Sequence, residues 1–324
     1  SRGLGDVYKR QRLARRFTIR ETLFGVTTAY YEVLKQERLV SVAKQSLDLA
    51  SEQENLAQKR ADAGEVTRSD VLRAQVSVET ARRSLIAAEN TLELSRNTLR
   101  NILNLPSNTP LKLQDPPTYP DSQKEYEALF QRAVQQREDL RERSLAIQVE
   151  EERRKEIQAS YAPRIVASTN QRLNRSSISN GTRTESWDAE IAVQLPFFEG
   201  GKRELDLTSS KFSIDQAIRE KELRTKVVQA EVKQAWLTVK TLNGSLRAAL
   251  AQKTAAEQSY LDIQNQYRAG TANSVDVLSA LKDLNAVRSD VATISYDYQV
   301  ALRSLEQVTG SFQETRVTNF TRSR

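Results

Sequence analysis

The chain contains no cysteine, histidine or methionine. Without cysteine there are no disulfides and no thiolate chemistry, and without histidine the usual proton shuttle and the commonest metal ligand are gone. Lack of cysteine suits cytosol and periplasm equally, so the compartment stays open. No run of 18 apolar residues occurs, which rules out a transmembrane helix in the portion given. Apolar content is 38% and mean hydropathy −0.60, lean values for large compact cores and better suited to thin, elongated helices. The net charge of +7 comes from 49 basic and 42 acidic residues interleaved throughout. A nucleic-acid binder would instead segregate its lysines and arginines and add aromatic platforms, so nucleic acid is not an expected partner.

The sequence starts with Ser rather than Met, so an internal fragment is expected. Residues 1–16, opening "SRGLGDVYKRQ", lack an apolar period and resemble translated adapter sequence; they are expected to be a non-native or disordered head.

What is present is a duplication. "ADAGEVTRSDVLRAQ" at 61–75 is echoed by "YRAGTANSVDVLSAL" at 267–281. Placing Gly64 on Gly270 aligns Tyr30 with Trp236, Asp70 with Asp276, Leu72 with Leu278 and Leu99 with Leu305. After each Gly the apolar residues advance in alternating steps of three and four. Val277, Ala280, Leu284, Val287, Val291, Ile294, Tyr298, Ala301, Leu305 and Val308 form one series; Val71, Ala74, Val78, Ala81, Leu85, Ala88, Leu92, Leu99 and Ile102 form the other, with Ser95 polar. That spacing predicts a coiled-coil seam on a helix roughly 50 Å long. Ahead of each Gly lies a longer helical stretch, residues 17–62 and 203–268, the second broken in pattern only by Gly244. Gly64 and Gly270 end one helix, and Ser69 or Ser274 can cap the next, so each copy becomes an antiparallel hairpin.

"LPSNTPLKLQDPPTYP" at 105–120 holds five of the seven prolines and reads as a linker or short edge strand. One helix is expected over 123–160, stopped by Pro163. The period then becomes two. Trp187, Ala189, Ile191, Val193, Leu195 and Phe197 alternate with Asp188, Glu190, Ala192 and Gln194, an 11-residue strand long enough to cross a bilayer when tilted. Residues 164–174 offer a weaker partner with Ile165, Ala167, Thr169 and Leu173 on one face, and Asn180-Gly181 between them signals a hairpin loop. A small soluble hairpin packed on the helices is the alternative. Aromatics at the strand ends, Trp187, Phe197 and Phe198, favour the membrane, yet two strands cannot satisfy their edges in lipid and must close a barrel with others.

No phosphate cradle is seen at Gly200-Gly201, which a strand-to-helix turn explains. The carboxylates lie along solvated helices rather than in a pocket, so neither catalysis, a cofactor nor a metal site is expected.

The duplicated hairpin together with "LPFFEGGKR" at 195–203 resembles the TolC-like outer-membrane efflux family. Its strand leaves the membrane through a Pro-aromatic-Phe-acidic-Gly-Gly-basic segment, reproduced here by Pro196, Phe197, Phe198, Glu199, Gly200, Gly201 and Lys202. The resemblance covers residues 17–312. It implies a mainly α fold of long coiled-coil hairpins in two tandem repeats, with a β-hairpin that contributes to a trimeric barrel in the outer membrane. It divides the chain into 17–104 (first hairpin), 105–122 (linker), 123–162 (helix toward the membrane), 163–198 (transmembrane β-hairpin), 199–312 (second hairpin) and 313–324 (tail). The resemblance further implies a passive duct for small molecules or proteins, a homotrimer in outer-membrane lipid reaching into the periplasm of a Gram-negative cell. The signal peptide, first helix and first strand pair of the family are missing ahead of residue 17, so truncation is expected.

By the same resemblance, a periplasmic adaptor engages the hairpin tips, at Gly64, Thr67, Gly270 and Asn273, and couples them to an inner-membrane transporter. Asp276 matches an acidic position ringing the periplasmic entrance, while Asp70 and Tyr267 match positions that help hold it shut. Ala272 and Ser279 depart from the family's pattern of a basic and a second acidic residue. The residues themselves leave an alternative open: Asp in the first turn of a helix is favoured by orphan N–H groups and the macrodipole. The rival class for the whole chain is a soluble periplasmic coiled-coil scaffold or adaptor.

Overall fold

The computed structural model describes residues 2–115, 125–175, 183–195 and 197–312. Its elements in chain order are α1 (Arg2–Asp62), α2 (Arg68–Ile102), α3 (Tyr126–Gln136), α4 (Glu138–Ala159), β1 (Arg164–Arg175), β2 (Arg183–Gln194), α5 (Lys202–Arg268) and α6 (Ser274–Val308). They divide into two compact units, with breaks after Ala14, Glu138 and Lys226.

In the larger unit the 3,4 seams face inward. Val277, Ala280, Leu284, Val287, Tyr298, Ala301 and Leu305 are buried on α6, as are Val71, Ala74, Val78, Ala81, Leu92 and Leu99 on α2. Ile102, at the end of the first series, is instead exposed. Near the hairpin tips one cluster draws on four helices: Ala50 from α1, Val78 and Ala81 from α2, Tyr260 and Tyr267 from α5, and Val277, Ala280, Leu281 and Leu284 from α6. Each buried Val or Leu contributes about 1.5–3 kcal/mol, and the alanines let the helices approach closely. Farther along, Val33 and Val40 of α1 meet Leu92 and Leu99 of α2, with Leu111 and Leu113 of the Pro-rich segment laid against them. That segment contains no strand among its described residues; the Tyr30 hydroxyl both donates to the Gln114 carbonyl (2.6 Å) and accepts from its N–H (2.9 Å).

The duplication persists where the hairpins close. α2 ends with Asn104 at φ 52°, Asn104 N–H to Asn101 carbonyl and Leu105 N–H to Arg100 carbonyl; α6 ends with Gly310 at φ 73°, Gly310 N–H to Gln307 carbonyl and Ser311 N–H to Glu306 carbonyl. Both are left-handed terminations, for which Gly and Asn are the tolerated residues.

Three boundaries differ from the sequence expectations. α1 starts at Arg2, so residues 2–16 are helical rather than a disordered head; their Arg, Lys, Gln, Leu and Ala are adequate helix formers despite lacking an apolar period. The expected single helix over 123–160 is two, because Arg137 adopts an extended conformation (φ −67°, ψ 128°). Local propensity gives no hint of this break. Its cause is tertiary: Arg137, buried, donates to Glu231 (2.6 Å) and to the Val308 carbonyl at the end of α6 (3.1 Å), while buried Glu138 pairs with Arg20 (2.7 Å). Such pairs add little net stability, but leaving either charge alone is costly, so they fix the geometry of the break.

The third difference is in the smaller unit. β1 and β2 pair antiparallel from Arg164↔Gln194 to Arg175↔Arg183, so β2 begins four residues before Trp187 and ends before Leu195. Leu195 and Phe197, expected on the strand, lie beyond the ladder. The ladder stops two residues short of Pro196, a residue type with no N–H to donate. Pro196, the Asn180-Gly181 loop signal and the 313–324 tail lie outside the described residues.

Gly310 also sits against the helix break. A Cβ there would stand 3.1 Å from Gln136 Cβ and 3.3 Å from the Arg137 nitrogen, whereas one on Gly64, also at positive φ, would meet open space. Gly310→Ala is therefore expected to cost roughly 3 kcal/mol and Gly64→Ala nearer 1 kcal/mol in urea unfolding; equal costs would show that the Gln136 contact relaxes freely.

Candidate functional site: the hairpin tips and the strand pair

Both tips are built by the same closure. Gly64 (φ 76°) donates to the Ala61 carbonyl and Glu65 to that of Arg60; Gly270 (φ 79°) donates to the Tyr267 carbonyl and Thr271 to that of Gln266. The next helix is capped at Thr67 and Asn273, not at Ser69 or Ser274, which are already helical. Asn273 and Asp276 cap reciprocally: Asp276 N–H donates to Asn273 Oδ1 (3.0 Å) and Asn273 N–H to Asp276 Oδ2 (3.2 Å). At the first tip Thr67 donates twice to Asp70 Oδ2, through its N–H (3.1 Å) and its hydroxyl (2.7 Å). Arg73 adds an ion pair at 3.3 Å. The Thr67 hydroxyl, followed by its N–H, holds the Asp70 carboxyl below its ordinary value. Both aspartates thus make the first-turn interactions that helix physics favours.

Tyr267 is 1% exposed and packs in the four-helix cluster. Burial pushes its phenol above the ordinary value, the Arg60 charge pulls it back, and Asp70 is near enough to act in the raising direction. Among the described residues no hydrogen bond joins the Tyr267 hydroxyl to Asp70. The side chain that does reach Tyr267 is Arg60, from the last turn of α1: it donates to the Tyr267 carbonyl and places its guanidinium carbon 4.6 Å from the ring centroid. Sequence reasoning missed Arg60. The signal was there in the duplication, which sets Ala61 opposite Tyr267 and leaves a long cation beside the small residue.

In the smaller unit the ladder sorts residues by face. Ile165↔Val193, Ala167↔Ile191, Thr169↔Ala189 and Gln171↔Trp187 share one face; Val166↔Ala192, Ser168↔Glu190, Asn170↔Asp188 and Arg172↔Ser186 share the other. On the polar face the Asn170 amide donates to Asp188 (3.2 Å). The apolar face is uncovered: Ile165, Trp187, Ile191 and Val193 are exposed, Ile191 to 80%. Among the described residues the sheet has two strands only, so each strand has an unpaired outer edge. Phe197 and Phe198 follow, strongly exposed, and then Gly200 (φ 60°) and Gly201 (φ 78°) turn the chain into α5, with Arg203 paired to Glu199 at 2.8 Å. Two consecutive left-handed residues explain the Gly pair.

Residues 7–105 and 129–311 match the model of the family described as "Outer membrane efflux protein". The chain belongs to this family. It is 25% identical over 295 residues to the outer membrane efflux protein BepC of Brucella suis, spanning 89% of this chain and 63% of that protein. It is 23% identical over 302 residues to the outer membrane protein TolC of Vibrio cholerae, spanning 91% of this chain and 69% of that one. The chain therefore spans a little under two thirds to just over two thirds of these relatives. Among solved structures, the outer-membrane channel OprN superposes with a TM-score of 0.78 over 95% of this chain and 70% of that one, at 17% identity, a likeness of fold. No helix among the described residues is long and apolar enough to cross a membrane, which says nothing of a β-barrel.

Thr67→Ala removes the hydroxyl that donates to Asp70, and amide exchange at residues 71–74 should then show the first tip opening more easily by about 1 kcal/mol. Because the Asp70 carboxyl titrates lower folded than unfolded, its stabilisation is complete above the ordinary carboxylate range and fades as pH falls through the lower folded value. Thr67→Ala should flatten that acid dependence; an unchanged profile would show that the hydroxyl is not what holds Asp70.

Proposed function

We propose that this efflux-family chain forms part of the wall of an outer-membrane channel-tunnel, a passive exit duct for small molecules or proteins assembled as a homotrimer. The observation that carries this reading is the two-faced strand pair with an uncovered apolar side and free outer edges. In lipid every backbone polar group needs a partner, so such a pair is stable only when other strands close on both edges. Copies of the same chain supply them by rotational symmetry. The polar face, carrying Ser168, Asn170, Asp188 and Glu190, then lines a wet lumen, and the exposed aromatics Trp187, Phe197 and Phe198 suit the membrane–water boundary.

The helical hairpins extend the duct into the periplasm, and their tips, at Gly64, Thr67, Gly270 and Asn273, are the surfaces offered to an adaptor and, through it, to an inner-membrane transporter. Asp276 is exposed at the second tip. In a threefold arrangement its copies converge on the entrance, repel one another and attract cations. Asp70 and Tyr267 belong to the same entrance.

Expressed with the full length of its relatives, the protein should fractionate with outer membranes and run as a trimer that heating dissociates. Recovery as a soluble monomer would exclude the duct and leave a periplasmic helical scaffold.

A further inference from the structure

We propose that a cleft between α1, α5 and α6 is a binding site for a small organic anion, a phosphate or carboxylate head on a compact apolar body. The lining residues all belong to the larger unit, so the site is complete within one protomer and independent of the duct reading. The cavity measures about 230 Å³, below the roughly 300–1,000 Å³ that takes drug-sized ligands, so its occupant is small. Three cations line it, Arg38, Lys253 and Arg288, against one carboxylate, Glu257. That carboxylate is shared: Arg288 Nη2 lies 3.1 Å from Glu257 Oε1 and Lys253 Nζ 4.0 Å from it. Arg38 makes no ion pair among the described residues. Two further carboxylates act on the Tyr296 end of the cleft, and both are engaged: Asp115 accepts from the Tyr296 hydroxyl at 2.9 Å, and Glu37 accepts from Arg96 at 2.8 Å.

Like charges gathered in a concave wall focus the field and raise the local concentration of anions. The donors define the head group. The planar forks of Arg38 and Arg288 match the paired oxygens of a carboxylate or phosphate, and Lys253 adds a flexible point charge. The floor defines the body. Val42 and Ala292 are buried, with Val291 beside them, and they offer apolar surface to a compact hydrocarbon group. Tyr296 adds no competing charge, since burial and its bond to Asp115 push the phenol up to about 12. The duplication does not repeat the arrangement: Gly244, Leu47 and Asn90 stand where Arg38, Lys253 and Tyr296 would recur, so the equivalent place lacks two of the three cations.

The test is isothermal titration calorimetry on the full-length protein in detergent at low salt, with phenyl phosphate as the probe and inorganic phosphate and phenol as controls. Phenyl phosphate should bind saturably, inorganic phosphate more weakly and phenol not measurably. Arg38→Gln and Lys253→Gln should each weaken phenyl phosphate about tenfold, the worth of one charge-assisted hydrogen bond. Glu257→Gln should tighten it severalfold, because the competing carboxylate is gone and both of its cations are freed. An ion pair that serves only the helix packing would not produce that gain. Should Glu257→Gln lose helical content by circular dichroism, the Arg38 and Lys253 variants still decide the matter. Absence of saturable heat with phenyl phosphate overturns the site, as does undiminished binding in the Arg38→Gln/Lys253→Gln double variant, which would place the anion elsewhere. Weaker or unchanged binding in a folded Glu257→Gln protein overturns the charge argument, and inorganic phosphate binding as tightly as phenyl phosphate overturns the apolar body.

Discussion

Everything in this molecule depends on the edges of one short sheet. Twelve-residue strands with one apolar and one polar face have the length and alternation for a bilayer, but their outer N–H and C=O groups have no partner within the described chain. Water would satisfy those edges at the expense of exposing Ile165, Trp187, Ile191 and Val193; lipid would cover the side chains and strand the edges. On the reading proposed above, closure with further strands meets both demands, and the smallest element of the fold then decides the assembly of the rest.

The helical part solves a different problem by repetition. A long helix carrying few apolar residues gains little by itself, and the hairpin lets two such helices bury a narrow seam against each other. Using the motif twice brings four seams into one cluster near the tips. The copies agree wherever backbone geometry is at stake, in the left-handed turns at Gly64 and Gly270 and the terminations at Asn104 and Gly310. They diverge where the tips meet. Ala61 and Tyr267 occupy equivalent places, and this difference in volume lets one arginine tie two hairpins.

The seams were legible because alternating steps of three and four admit little but a coiled coil, and the strand because its period is two. The tip glycines were legible because a hairpin needs positive φ there. The N-caps were displaced by one or two residues, since Ser, Thr, Asn and Asp crowd the same short segments and any of them can cap; the reciprocal bonds to Asp70 and Asp276 decide it. The break at Arg137 was not legible, because it follows from charges paired across residues far apart in sequence. Arg60 escaped for a like reason: a lone cation at a helix end reads as an ordinary dipole partner until its neighbour across the bundle is known.

The measurement closest to the centre of this account is a single-cysteine scan of residues 186–193 in the full-length protein in outer membranes, with labelling by a water-soluble maleimide. Positions 186, 188, 190 and 192 should react and positions 187, 189, 191 and 193 should be protected. Labelling without that two-residue alternation, or protection on the side of Asp188 and Glu190, would contradict a strand pair set between lipid and a wet lumen.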